Sequence, residues 1–246
     1  MHYSWRWDVF LEPVPAGGGT YIDWLLAGVR TTAALSLVAW GAALALGTLL
    51  GVLRTVPHRG LRLLAAAYVE VFRNVPLLVQ LFLWYFVVPE LLPSGVGSWL
   101  KSSPPGVQLF GASATCLALF TAARICEQVR AGIEALSGGQ RAAALALGLT
   151  LPQAYRHVLL PVGFRLIVPP LTSELLNLFK NSAVASTIGL LELAAQGRQL
   201  LDYTAQPYES FIAVTVVYVA MNLVLLAAMR VIEARARLPG FLGAGK

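Results

Sequence analysis

Glu127 to Pro161 reads EQVRAGIEALSGGQRAAALALGLTLPQAYRHVLLP, a polar stretch in a chain otherwise built from long apolar runs. It carries Arg130, Arg141, Arg156 and His157. Ser137-Gly138-Gly139 predicts a helix break. Residues 141–147, Arg-Ala-Ala-Ala-Leu-Ala-Leu, are strong helix formers, and Gly148 predicts their stop. Thr150-Leu151-Pro152-Gln153 has the T-x-x-Q form of a capping box, with Pro152 in the first turn where its missing N–H does no harm. The segment therefore reads as a helix, a break, a short helix and a new helix running on through Leu159-Leu160-Pro161. Residues 130–157 form a polar loop, but a folded one.

Outward from this loop, composition decides the class. Hydrophobic residues make up 57% of the 246 and charged residues 12%, where a soluble domain carries about 25% charged. The chain is an all-α integral membrane protein. Its net charge of +6 needs no nucleic acid, because basic residues at loop ends fix membrane topology. Arg6, Asp8, Glu12 and Asp23 precede the first long apolar run, so no cleavable signal peptide is expected. Cys116 and Cys126 fall in or near one apolar segment and read as small buried hydrophobes, neither a disulfide nor a metal pair. No metal site is expected.

About five transmembrane helices follow from the chain in order. Residues 1–23 are aromatic and mixed in charge, and Trp5, Trp7, Tyr21 and Trp24 suit a membrane–water interface. Thr31 to Leu53 is free of charge and long enough to span about 30 Å of hydrocarbon. Within it Gly47-x3-Gly51 predicts a close helix contact. A second span starts near Leu63 and is interrupted by Glu70, Arg73 and Pro76; Glu70 and Arg73, three apart, are expected to pair on one helix face. Residues 90–106 read as a loop, 107–127 as the third span, and 158–179 as a weaker fourth holding Arg165, Pro169-Pro170 and Glu174. Residues 194–209 are polar, and 210–229 make the last span. The domain plan is an N-terminal segment 1–23, a transmembrane domain 24–233 and a tail 234–246.

Charge distribution gives the orientation. Three of the 18 basic residues lie in 54–62, five in 124–165 and four in 230–246. The bias predicts an external N-terminus, a cytoplasmic C-terminus and a cytoplasmic 130–157 loop.

Two motifs resemble a known family. Ala143-Ala144-x3-Gly148-x9-Val158-x-Leu160-Pro161 resembles the EAA loop of ABC importer membrane subunits, with Ala142 in place of the Glu and Val158 in place of Ile. Arg73-Asn74-Val75-Pro76-Leu77-Leu78-Val79-Gln80 resembles the F-R-G-T-P-L-L-V-Q segment of the polar amino-acid branch. Taken whole, the chain resembles the membrane subunit of bacterial glutamate/aspartate ABC importers, through YVEVFRNVPLLVQ, ARICEQVRAGI, GLTLPQAYRHVLLP, PPLTSELLNLFKNSAVASTIGL and QLLDYTAQPYES.

That resemblance implies a type I ABC importer permease in the bacterial inner membrane, moving acidic amino acids. It implies a cytoplasmic ATPase dimer, an extracytoplasmic substrate-binding protein, membrane lipid and a second permease, homologous or self. ATP would be hydrolysed by the partner ATPase, because no Walker A loop is present here: the Gly243-Ala244-Gly245-Lys246 tail lacks the spacing and context. The chain itself is expected to hold no cofactor and to be no enzyme. Coupling to the ATPase falls to Gly139, Gln140, Ala143, Ala144, Gly148 and Pro161. The substrate pathway falls to Gln80, Arg124, Glu127, Lys180 and Asn181, with Glu70 and Arg73 as a structural pair at the gate.

Arg124 and Lys180, with Asn181 adding no negative charge beside the lysine, would favour an anionic substrate, because guanidinium holds a carboxylate bidentately. The plainer alternative pairs Arg124 with Glu127 one turn on and leaves Lys180 capping a helix. An ion-coupled secondary carrier or channel is the competing function; such carriers usually show repeated halves, and no internal repeat is visible.

Overall fold

The computed structural model describes residues 3–15, 17–136 and 138–236. Ser137 and the tail from residue 237, including Gly243 to Lys246, lie outside the described residues. Eleven α-helices run in order among those described: α1 Tyr21–Leu53, α2 Arg59–Asn74, α3 Leu77–Phe82, α4 Val88–Leu91, α5 Ser94–Ser102, α6 Pro105–Glu134, α7 Gly138–Ala146, α8 Leu151–Ala154, α9 Leu160–Asn181, α10 Leu193–Thr204 and α11 Pro207–Ala236. A π turn joins α3 to α4 at Leu83–Val87 and another joins α8 to α9 at Tyr155–Leu159. Short 3₁₀ segments cover Trp7–Leu11 and Ser182–Ile188. Among the described residues β pairing is limited to one isolated bridge, Pro13 to Thr20.

Four segments are long and apolar enough to cross a membrane: α1, α6, Leu151–Ile188 and α11. Counting the bent pair Arg59–Asn74 and Leu77–Leu91 as one span gives a fifth. The break falls where the sequence placed it. Val75 is extended (φ −94°, ψ 130°), as the residue before a proline must be when the α region is closed to it.

Both π turns have a proline cause. Val88 N–H reaches back to Leu83 O and Leu160 N–H to Tyr155 O, and in each case the next residue is proline, Pro89 or Pro161. A proline cannot donate to the carbonyl four residues back, so the helix takes one wide turn and continues.

Contacts divide the chain into two compact units. One comprises Met1–Ala39, Pro76–Leu117 and Leu178–Val224; the other comprises Trp40–Val75, Ala118–Asn177 and Leu225–Lys246. The second holds an apolar cluster in which Ala43, Ala122, Ile125, Val129, Ile133, Tyr155, Leu159 and Ile167 are buried together. The Gly47/Gly51 expectation holds here. A Cβ at Gly47 would lie 2.7 Å from Ile125 Cβ and 2.8 Å from Ala122 O. At Gly51 it would lie 2.6 Å from Val129 Cβ. Only glycine lets α1 and α6 approach this closely.

Two readings need correction. Residues 90–106 are not all loop: α5 occupies Ser94–Ser102, closed by Ser98, Ser102 and Ser103 hydroxyls donating to backbone carbonyls one turn back. The polar stretch 194–209, to which the sequence reading assigns no element, holds most of α10, whose N-cap is Glu192. The break before the short helix falls at Ala135-Leu136, where Leu136 N–H tightens onto Ile133 O at 3.2 Å. Gly138 and Gly139 open α7 instead of interrupting it.

Candidate functional site

The short helix of the polar loop is built by local chemistry. Gly148 sits at φ +84°, the left-handed conformation that glycine adopts without a Cβ penalty. Leu149 N–H donates to Ala144 O at 3.2 Å and Gly148 N–H to Leu145 O at 3.0 Å. This is the Schellman pairing, which satisfies the last carbonyls of α7. Two residues on, Thr150 N–H donates to Gln153 Oε1 at 2.8 Å, completing one half of the capping box. Ala144 is buried, and α7 packs on α8 and on the Tyr155–Leu159 turn. Gly139, Ala142, Ala143, Leu145 and Leu147 are exposed and Gln140 is half-buried. The loop therefore presents a small-residue and leucine surface on a helix anchored from behind. Pro161 opens the long helix that continues from it.

An ion-pair network lies at the loop end of the same unit. Glu127 pairs with Arg54, at the end of α1, and with Arg130 at 2.9 Å. Arg130 also pairs with Glu134. Glu127 is thus committed to Arg54 and Arg130, and the expected alternative of an Arg124–Glu127 pair is overturned. Arg124 pairs with Glu174 of α9: Nε to Oε2 is 2.8 Å. Glu174 is nearly buried, while the Arg124 side chain is 43% exposed and lies 5.8 Å over the Phe120 ring.

Glu70 and Arg73 are not paired. Glu70 Oε2 accepts from Asn74 Nδ2 at 3.1 Å, one full turn along. Both Glu70 and Arg73 are exposed, so water competes for the charge and the amide at i+4 has the better register.

The other pathway candidates fall in the other unit. Lys180 is exposed in the last turn of α9, where a cation meets the negative end of the helix dipole. Gln80 is buried on α3, which packs against the Ser182–Ile188 segment. Asn181 lines a cavity of only about 10 Å³ with Leu77, Leu81, Ser113 and Cys116, room for one water and not for an amino acid. Both cysteines are free and buried.

A family model described as binding-protein-dependent transport system inner membrane component matches residues 43–238. The chain belongs to that family. This permease is 54% identical over 244 residues to the glutamate/aspartate import permease protein GltJ of Escherichia coli (strain K12), covering 99% of each chain. It is 29% identical over 221 residues to the glutamate/aspartate import permease protein GltK of Escherichia coli O6:H1, covering 90% of this chain and 93% of that one. Among solved structures it is similar to one titled as an amino acid ABC transporter with histidines, at TM-score 0.73 and 30% identity, covering 87% of this permease and 95% of that chain.

Three buried carboxylates in the permease were not among the expected site residues. Glu174 is the partner of Arg124. Glu209, in the first turn of α11, accepts from the Tyr3 hydroxyl and from Arg6 N–H at 2.7 Å, tying down the N-terminal segment. Glu192 is wholly buried; it accepts from Ala195 N–H at 2.8 Å and from the Tyr218 hydroxyl at 2.6 Å, with Thr32 Oγ1 at 3.5 Å. Burial holds the Glu192 carboxyl above the ordinary carboxylate range, against the lowering effect of its hydrogen bonds. The available signal for Glu192 was a carboxylate placed just before a run of helix formers, at a cap position.

Proposed function

We propose that this permease imports acidic amino acids, taking them from an extracytoplasmic binding protein and coupled to ATP hydrolysis in a separate cytoplasmic chain. The observation that carries the substrate class is the end-to-end 54% identity to a glutamate/aspartate import permease. Similarity to GltK as well supports a second, homologous permease beside this one. The transmembrane domain 24–233 lies with the N-terminus outside and the 130–157 loop and C-terminus inside, as the arginine distribution favours. The exposed face of α7, with Ala142, Ala143, Leu145 and Leu147, docks the ATPase. Leucine burial supplies the contact that the motif's glutamate would otherwise assist.

Arg124 supports the anionic preference. Its Nε is held by Glu174, and its exposed guanidinium offers the Nη edge to a substrate carboxylate. The secondary-carrier alternative has no support in the family match.

The test is uptake of radiolabelled glutamate by cells expressing the permease with the neighbouring ATPase, second permease and binding protein. Uptake should need ATP, compete with aspartate and ignore excess arginine. Competition by arginine but not aspartate would overturn the substrate class. Uptake that survives an ATPase-dead partner would overturn the coupling.

A further inference from the structure

A cavity of about 310 Å³ opens among Arg54, Arg59, Arg62, Leu63, Arg130 and Glu134. An adjoining cavity of about 230 Å³ shares Arg54, Arg62 and Glu134 and extends to Arg141 on α7. Two of the guanidiniums are neutralised, Arg54 by Glu127 and Arg130 by Glu127 and Glu134. Arg59 and Arg62 have no ion pair among the described residues. The site therefore carries an uncompensated positive charge at two forked donors, both on the first turn of α2. Its level in the membrane follows from α1, whose charge-free run ends at Leu53 and is followed at once by Arg54. The cavity thus lies at a hydrocarbon–water boundary.

Its apolar wall decides between kinds of anion. Leu63 lines the cavity and is 60% exposed, and Leu64 beside it is 64% exposed. Arginine forks next to outward leucines match an amphiphile whose anionic head meets the guanidiniums while its chains lie along the leucines. We propose that this cavity binds the phosphate headgroup of an anionic phospholipid, with Arg59 and Arg62 as its ligands. Arginine holds phosphate bidentately, and basic pockets between membrane helices are suited to such headgroups. Arg141 lines the adjoining cavity, which sets the coupling helix beside the site, so an occupied site braces α2 against α7.

The full chain purified in mild detergent is titrated with phosphatidylglycerol, phosphatidylcholine or inorganic phosphate, reading lipid adducts by native mass spectrometry and the unfolding midpoint. Phosphatidylglycerol should bind roughly thirtyfold more tightly than phosphatidylcholine, the scale expected of two basic residues at about 1 kcal/mol each. Inorganic phosphate should leave the midpoint unchanged. R59Q/R62Q should lose the preference while unfolding as wild type in phosphatidylcholine; R59K/R62K should retain part of it, and Lys101→Gln all of it. If the double glutamine variant does not fold, Arg62→Gln alone must weaken the preference. An unchanged preference in the glutamine variants overturns the proposal. So does a midpoint shift produced equally by inorganic phosphate, which makes the ligand a soluble anion. Loss of a co-purifying ATPase with lipid preference intact overturns it too, making the face a protein contact.

Discussion

Arg124 of α6 donates from Nε to Glu174 of α9 at 2.8 Å, and the two ends of this pair differ in exposure. Glu174 is 9% exposed and Arg124 43%. The carboxylate acts as a positioning group that fixes one edge of the guanidinium and leaves the other accessible. Arg124→Lys keeps the charge and loses the fork, so glutamate uptake should fall several-fold or more while membrane expression holds. Glu174→Gln keeps an acceptor and should cost less in apparent affinity than Arg124→Lys. Kinetics of uptake for both variants, normalised to expression, check this. Unchanged apparent affinity and maximal rate in Arg124→Lys would show that the pair is structural only.

The glycines of α1 make opposite predictions at neighbouring positions. A Cβ at Gly51 would meet Val129 Cβ at 2.6 Å and Cys126 O at 2.9 Å, whereas one at Gly41 meets nothing within 4 Å. Gly51→Ala should destabilise by about 1–3 kcal/mol through overpacking. Gly41→Ala should be neutral or stabilising by about 0.5–1 kcal/mol, the difference in helix propensity. Unfolding midpoints in detergent, compared pairwise, give the signs directly.

These glycines also mark what was legible beforehand. Gly47-x3-Gly51, the stop at Gly148 and the Thr150–Gln153 box depend on a few adjacent residues, so the sequence carries them whole. Charge partners are different. Glu127 has Arg124 and Arg130 each within three positions, and nothing local says that Arg54, 73 residues earlier, completes its pairing. Glu174 lies 50 positions from Arg124, beyond any periodicity. Glu70 was read with Arg73 because charge attracts; at an exposed helix end the amide at i+4 prevailed. The helix α5 was hidden because it is short and polar, with Gly95 and Gly97 inside it, a composition that reads as loop.

Gly148 tests the coupling loop through its backbone. No atom lies within 4 Å of where its Cβ would be, so added bulk meets no neighbour; the cost comes from φ +84°. A β-branched residue there costs about 1–2 kcal/mol and should release the Schellman turn, whereas asparagine adopts this conformation readily. Gly148→Asn should therefore transport near wild type. Gly148→Val should insert normally yet lose most ATP-driven uptake. Equal uptake by both variants would remove the loop's geometry from the coupling mechanism.

Glu192 makes the pH prediction. It is wholly buried at the head of α10, facing the Tyr218 hydroxyl from α11 and Thr32 from α1, with no cationic partner among the described residues. Its folded-state pKa is raised by burial above the ordinary carboxylate value. A raised pKa means that the folded protein prefers the protonated form, so the associated stability is fully present below the unfolded pKa. It is lost as pH rises through the folded pKa, where ionisation would strand a charge without water or cation. Glu192→Gln fixes the neutral form and retains an oxygen to accept from Ala195 N–H, while Tyr218 can turn its hydroxyl to accept from the new amide. The variant should match or fall slightly below wild type at acidic pH and gain on it steadily as pH rises. The measurement is the unfolding midpoint of both proteins from about pH 4 to pH 8, taking the difference at each pH so that other titrating groups cancel. Parallel profiles would show that Glu192 keeps its charge in the folded state, stabilised by its three hydrogen-bond donors alone.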